Sequence, residues 1–258
     1  MAEFWTEKRV VISPDADSLV ASVSTRFFDR VSKRVAGGKT AHVALTGGVI
    51  AGEGLRALGT QAAAHPLDWS RVHLWWSDEV FAPAGDPTRH DEAARALIDA
   101  IDIPADHVHR MPGPDRVGDL DEAAAAYAAE LARFGEDGRA WPSFDICFLG
   151  VGPDGHVASL FPDRPEIQVI DRAVVGVRDA PKPPALRLTL TRPVLNSSRR
   201  VWMVLSGDDK AAALGLALAG ASYESVPAAG TKGRKRTIFF VDRAAAAQVP
   251  ADLIDQEY

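Results

Sequence analysis

Short apolar runs typical of strands alternate with helical patterns along most of this 258-residue chain. Such alternation favours parallel strands, because each parallel connection has to cross back over the sheet and a helix does so readily. We therefore predict an α/β fold, a mostly parallel sheet covered by helices, in a single domain over residues 1–258. The predicted strands are Val10–Ile12, His42–Leu45, Val72–Trp76, Phe144–Leu149, Val174–Val177, Arg187–Thr191, Val201–Leu205 and Thr237–Val241.

Two helices have recognisable starts. Ser13 precedes Pro14 and an apolar spacing that begins at Leu19, which predicts a helix capped by Ser13 with the proline in its first turn. Asp119, with Glu122 three residues later, predicts a second cap, and the alanine-rich helix after it should end near residue 134.

The composition limits the classes of function. The formal net charge of −6 disfavours non-specific binding to nucleic acid or to acidic membranes. An uninterrupted apolar run of about 18 residues and a secretory signal are both missing, so we expect a cytoplasmic protein. The one cysteine, Cys147, lies in a predicted strand and should be a buried structural thiol.

A glycine-rich segment, Gly150–His156, follows the apolar strand that ends at Leu149. Ligands of open α/β folds bind beyond the carboxyl ends of strands, so a histidine here is well placed for chemistry. The segment also satisfies the G-x-G-x-x-G pattern of dinucleotide sites. Against that alternative, Pro162 and Pro165 leave room only for a short turn after His156, and Asp154 would face the negative pyrophosphate.

A second glycine-rich turn, Thr46-Gly47-Gly48, ends another strand and opens a helical pattern. Backbone N–H groups at such a helix start can hold an anion, although a plain tight turn explains the pattern equally well. Asp78 and Glu79 follow the carboxyl end of the strand Val72–Trp76. Carboxylates at this position orient sugar hydroxyls in some proteins and only cap helices in others, and the sequence leaves both open.

Three cations follow in the second half of the chain. Lys182 and Arg187 lie on a segment stiffened by prolines, where they suit a phosphate group, with surface solubility as the alternative. Lys210 stands at a helix start, where a cation opposes the helix dipole. That position indicates a ligand, unless Asp208 and Asp209 simply neutralise the charge. His107 and His109 have no carboxylate or cysteine at metal-site spacing, and no metal site is predicted.

Taken together, four blocks resemble the 6-phosphogluconolactonase family, whose relatives include the glucosamine-6-phosphate deaminases and isomerases. The blocks occur in the family's order over nearly the whole chain. They are Trp76–Glu79, Gly150–Pro162, Lys182–Thr189 and Gly207–Ala211.

The resemblance implies a Rossmann-like three-layer sandwich that hydrolyses a sugar-phosphate lactone in the oxidative pentose phosphate pathway, without a cofactor or a metal. By the same resemblance His156 is the general base. The phosphate is held by Thr46, Gly47 and Gly48 together with cations such as Arg187 and Lys210, and Lys182 is a further candidate. A neutral imidazole suits this role, because histidine's ordinary pKa lies near neutrality. Asp154 would orient either the imidazole or a substrate hydroxyl.

Two departures from the family's pattern stand out. Val49, Ile50 and Ala51 replace the serine-threonine-proline that commonly ends the first glycine-rich turn. Val80 stands where an arginine often follows the aspartate-glutamate pair, and Arg89, on the same loop, is our candidate to replace that cation.

Alternatives remain at this stage. One is an aldose–ketose isomerase or deaminase acting on an amino-sugar phosphate. In those enzymes, however, the sequence after the histidine typically continues toward asparagine-glutamate-proline, where this chain has Ser159-Leu160-Phe161-Pro162. Another is a non-catalytic sugar-phosphate binding protein. The sequence does not determine the oligomeric state, although it favours a monomer.

Overall fold

The structure is a computed structural model that describes residues 8–249. It contains two sheets, and the larger one has six strands. All its neighbouring strands are parallel, in the order β1-β9-β8-β5-β2-β3. The predicted α/β fold with a mostly parallel sheet is thereby confirmed. Strands of this sheet are β1 (Lys8–Ser13), β2 (Ala41–Leu45), β3 (Val72–Trp76), β5 (Ile146–Gly150), β8 (Arg200–Leu205) and β9 (Arg236–Asp242).

A second sheet has three antiparallel strands in the order β4-β7-β6. They are β4 (Asp78–Val80), β6 (Val174–Val177) and β7 (Arg187–Leu190). β6 and β7 were predicted as strands, but the short β4 was not. Ser77 joins the two sheets, because its N–H donates to Leu45 O at 2.7 Å and its carbonyl accepts from Leu190 N at 2.8 Å.

The helices within residues 8–249 are α1 (Ala16–Ala36), α2 (Val49–Gln61), α3 (His90–Ala93), α4 (Arg95–Ile98), α5 (Leu120–Ala132), α6 (Arg192–Asn196), α7 (Ala211–Leu218) and α8 (Pro227–Gly230). Single 3₁₀ turns lie at Ala62–Ala64, Trp69–Arg71, Ala105–His107, Pro165–Gln168 and Asp208–Lys210. None of the helices described here is long and apolar enough to cross a membrane.

The two predicted helix starts have different outcomes. Asp119 caps α5 as predicted, its carboxylate accepting from Glu122 N at 2.8 Å. The prediction of Ser13 as the cap of α1 was wrong. Ser13 is the last residue of β1, and Asp15 caps the helix by accepting from Ser18 N at 2.8 Å. The strand pairing with β9 continues through Ser13, which leaves the cap to the next suitable side chain.

The core lies against the parallel sheet and is rich in large aromatic side chains. Trp75, Trp76 and Trp202 are fully buried, and the ring of Phe148 meets that of Trp202 edge to face at 5.5 Å. Cys147 is also fully buried, in β5, as predicted. A core of this kind holds the strands rigidly, so the loops at their carboxyl ends keep defined positions.

Candidate active site

A cleft of about 630 Å³ opens at the carboxyl ends of the parallel strands. Parallel strands end at one edge of the sheet, so residues far apart in sequence meet there. The cleft is lined from the loops after β2, β5 and β8 and from the second sheet. Predicted residues that line it are Thr46, Gly47, Gly48, Asp78, His156, Lys182, Arg187 and Lys210.

His156 lies on a tight loop after β5. Within this loop Gly152 N donates to His156 O at 3.0 Å, and Gly155, with φ of +83°, donates its N–H to Gly152 O at 2.9 Å. A side chain at Gly152 would collide with the imidazole of His156, so glycine is needed there. The loop leads into a short turn and not into a helix, which removes the structural basis for the dinucleotide alternative.

The carboxylate of Asp154 orients the His156 ring. Oδ1 of Asp154 lies 2.5 Å from Nδ1 of His156, and the ring also packs on Phe161 with centroids 4.7 Å apart. Burial would raise the pKa of Asp154, but the hydrogen bond and charge of His156 lower it below its ordinary value. Since Asp154 occupies Nδ1, Nε2 is the nitrogen left for a water molecule in the cleft. Asp154 itself is not among the residues that line the cleft.

The glycine-rich turn after β2 presents a helix start to the cleft. Gly48, with φ of +103°, caps α2, and no side chain caps this helix. The first N–H groups of a helix have no partner within it, so they are free to hold an anion. Thr46 directly follows β2 and also lines the cleft.

Asp78 lies at the centre of the polar groups and is almost fully buried. Its carboxylate accepts from Ser159 Oγ at 2.8 Å and from Thr46 Oγ1 at 3.4 Å, and it lies 3.6 Å from Nδ1 of His90. Burial would raise the pKa of Asp78, but His90, the hydrogen bond from Ser159 and the charge of Arg187 lower it to about 2. This carboxylate therefore connects the glycine-rich turn to the loop that carries His156.

Three predicted cations reach the cleft in different ways. Arg187 is buried, and its Nε and Nη2 donate to the carbonyls of the proline segment, Lys182 to Pro184, at 3.0–3.2 Å. Within the described chain Nη1 of Arg187 makes no such bond, and it can therefore serve a ligand. Lys182 is exposed, and Nζ of Lys210 contacts Oδ2 of Asp209 at 2.7 Å.

Comparison with known proteins assigns the chain that forms this cleft to a family. A family model described as glucosamine-6-phosphate isomerases/6-phosphogluconolactonase matches residues 14–240. The chain belongs to this family. The resemblance inferred from the four sequence blocks is thereby confirmed.

Individual relatives agree with the family assignment. The chain is 42% identical to the 6-phosphogluconolactonase of Streptomyces coelicolor, covering 95% of this chain and 96% of the relative. It is 44% identical to the 6-phosphogluconolactonase of Mycobacterium tuberculosis, covering 94% and 98%. Among solved structures, the 6-phosphogluconolactonase of Thermotoga maritima superimposes with a TM-score of 0.79 at 26% identity, covering 92% of this chain and 100% of that one.

The structure does not bring Arg89 to the cleft, and its prediction as a substrate-binding residue needs correction. The Arg89 side chain is 3% exposed. Its guanidinium binds Asp91 through two hydrogen bonds of 2.8 and 2.9 Å and donates to Ala82 O and Met111 O at 2.8 Å each. It lines a separate cavity of about 680 Å³, so it does not replace the family's arginine in the cleft.

Sequence reasoning missed His90, the neighbour of Arg89. Its ring lines the cleft and contacts Asp78, and a Cβ at Gly47 would collide with it. The available signal was a histidine at the start of a helix soon after the acidic strand end. Its importance depends on how the loop folds back onto Gly47, which no local pattern reveals. Within residues 8–249 no group of three or more His, Cys, Asp or Glu side chains is arranged to hold a metal ion.

Proposed function

We propose that this protein hydrolyses 6-phospho-D-glucono-1,5-lactone to 6-phosphogluconate, a reaction of the oxidative pentose phosphate pathway, with His156 as the general base. The prediction of a hydrolase of the lactonase kind is confirmed by the relatives, which are named 6-phosphogluconolactonase at 42–44% identity. The observation that carries the mechanism is the imidazole of His156, oriented by Asp154 in a cleft that also contains separate cations.

The reaction would begin at Nε2 of His156. This nitrogen takes a proton from a water molecule, and the resulting hydroxide attacks C1 of the lactone. When the C1–O5 bond of the tetrahedral intermediate breaks, the imidazolium returns its proton to the departing O5. The products are a carboxylic acid, which releases its proton to solvent and becomes the carboxylate, and a free hydroxyl at O5, and no covalent bond to the enzyme forms. General base action of this kind contributes about 10²- to 10⁴-fold to the rate.

The phosphate end of the substrate would supply orientation. The start of α2 and the side chains of Arg187 and Lys210 offer donors and positive charge in the same cleft, which Thr46 also lines. Binding energy from this remote group offsets the entropy lost in placing C1 beside the imidazole. Lys182 adds an exposed positive charge at the edge of the cleft.

The test is lactone hydrolysis by the His156→Ala variant, with spontaneous hydrolysis subtracted. We expect kcat to fall by about 10²- to 10⁴-fold, while the Kd of 6-phosphogluconate stays within a few-fold of wild type because the phosphate donors are untouched. The matched control is His107→Gln, since His107 lines the separate cavity. Unchanged turnover in His156→Ala would remove the ring from the mechanism, and ammonia release from glucosamine 6-phosphate would favour the deaminase alternative.

A further inference from the structure

His90 is a partly buried histidine that the proposed mechanism does not use. Its side chain is 14% exposed, and it forms part of the cleft wall beside Gly47 and Gly48. The ring lies so close to Gly47 that no side chain could stand at that position. His90 is therefore built into the glycine-rich turn that offers the anion-binding N–H groups.

The contacts of His90 determine which of its nitrogens is free. Nδ1 lies 3.1 Å from Asp78 O, and since a carbonyl oxygen can only accept, Nδ1 must carry a hydrogen. The backbone N–H of His90 donates to Oε1 of Glu79 at 2.7 Å, which holds the residue at the helix start. Among the described residues, Nε2 has no hydrogen-bond partner, so it remains available to a ligand in the cleft.

The surroundings of the ring favour its charged form. Asp78 and Glu79 face it from β4, and Glu53 of α2 and Arg187 of β7 line the same cleft. Burial would lower the pKa of His90, but Asp78 and then Glu79 raise it to about 9. At neutral pH the ring is therefore charged. Its Nδ1–H is bound to Asp78 O, and its Nε2–H is a donor without a partner among the described residues.

The second sheet contributes one further cation to the cleft, Arg187 of β7. Val80, the residue after the two carboxylates, is apolar and 2% exposed, and Arg89 is committed to the separate cavity. Arg187 and Lys210 both have partners that use part of their hydrogen-bonding capacity. His90 is in direct contact with the glycine-rich turn, because a Cβ at Gly47 would collide with its ring.

We propose that the His90 imidazolium binds the phosphate group of the substrate through Nε2 and supplies the positive charge that Val80 does not. This role rests on the proposed function only for the identity of the sugar phosphate. It makes His90 a specificity-determining residue, because the charge discriminates phosphorylated from unphosphorylated sugar acids.

The test compares the binding of 6-phosphogluconate, inorganic phosphate and gluconate by calorimetry. His90→Asn is the informative variant, because its amide N–H can replace the Nδ1 donor to Asp78 O while Nε2 and the charge are removed. Removal of a hydrogen bond from a charged donor should lower the affinity roughly 10- to 100-fold. We expect that loss for 6-phosphogluconate and inorganic phosphate, and a change within about 2-fold for gluconate. His107→Gln is the control.

A pH titration of the wild-type protein tests the same inference where the variant fails to fold. Affinity for inorganic phosphate should fall as the pH rises through about 9, the value at which His90 loses its charge. Unchanged phosphate affinity in a folded His90→Asn protein, an equal loss for gluconate, or a flat titration up to pH 9.5 would each overturn the proposal.

These outcomes separate the two proposals. If the wild-type protein hydrolyses the lactone and phosphate binding does not depend on His90, only the proposal for His90 is overturned. His90-dependent binding of 6-phosphogluconate without hydrolysis above background supports that role and overturns the proposed function. Wild-type protein that binds neither 6-phosphogluconate nor phosphate overturns both.

Discussion

Removal of Arg89 should cost stability and spare substrate affinity. Its guanidinium is buried with the carboxylates of Asp91 and Glu79, at 2.8 and 3.8 Å, and it also donates to the backbone carbonyls of Ala82 and Met111. Replacement by glutamine removes the buried cation that Asp91 and Glu79 share, and leaves Asp91, among the described residues, with only the more distant, exposed Arg110. Removing one partner of a buried ion pair destabilises proteins by about 3–5 kcal/mol.

The magnitude can be measured by thermal and urea unfolding. For a chain of this length, 1 kcal/mol corresponds to a shift of about 2–4 °C in Tm, so Arg89→Gln should lower Tm by roughly 6–20 °C. The matched control is Arg110→Gln. Arg110 also faces Asp91, at 3.8 Å, but its side chain is 45% exposed, and exposed pairs contribute about 0–1 kcal/mol.

Kinetics then decide between the structural and the sequence-based role of Arg89. KM for the lactone in Arg89→Gln should stay within about 2-fold of wild type below the unfolding transition, because the guanidinium lines another cavity. A KM raised by tenfold or more with an unchanged Tm would place Arg89 at the substrate and refute the reasoning.

Two further predictions concern the half of the parallel sheet that carries β2 and β3. Burial first, and then the charge of neighbouring histidines, lowers the pKa of His42 to about 3 and that of His73 to about 4, from an ordinary 6.5. The unfolded chain therefore binds more protons below pH 6.5, so the free energy of unfolding should fall as the pH drops from 6.5 to about 4. Urea titrations should show a shallower fall in His73→Asn, and an equally steep one would contradict this assignment. Tyr127→Phe removes a buried acceptor that Trp76 N uses at 2.9 Å, and should cost about 1–3 kcal/mol of unfolding free energy with kcat unchanged. A stability equal to wild type would show that another acceptor replaces the hydroxyl.

Local patterns predicted most of the architecture. Each of the eight predicted strands is present, displaced by at most two residues at either end. Their apolar runs are long enough to identify a buried strand, and the glycine-rich turns between them identify the carboxyl edge of the sheet. The two regions around His156 and Thr46 were predicted for the same reason, since each combines a strand end with a conformation that glycine adopts readily.

Tertiary structure alone decided which side chains share the cleft. Arg89 and His90 are neighbours, yet the ring of His90 faces Gly47 and Asp78 while the guanidinium of Arg89 enters another cavity. Arg89 has an extended backbone conformation and His90 is the first residue of α3, so the two side chains leave the chain in different directions. A loop assignment from sequence cannot say which of two such adjacent cations reaches a ligand. The antiparallel position of β6 and β7 was also hidden, because strand periodicity reports burial and not the partner strand. Local sequence patterns thus determined the strands, the turns and the position of His156, whereas the fold decides which charged side chains meet around them.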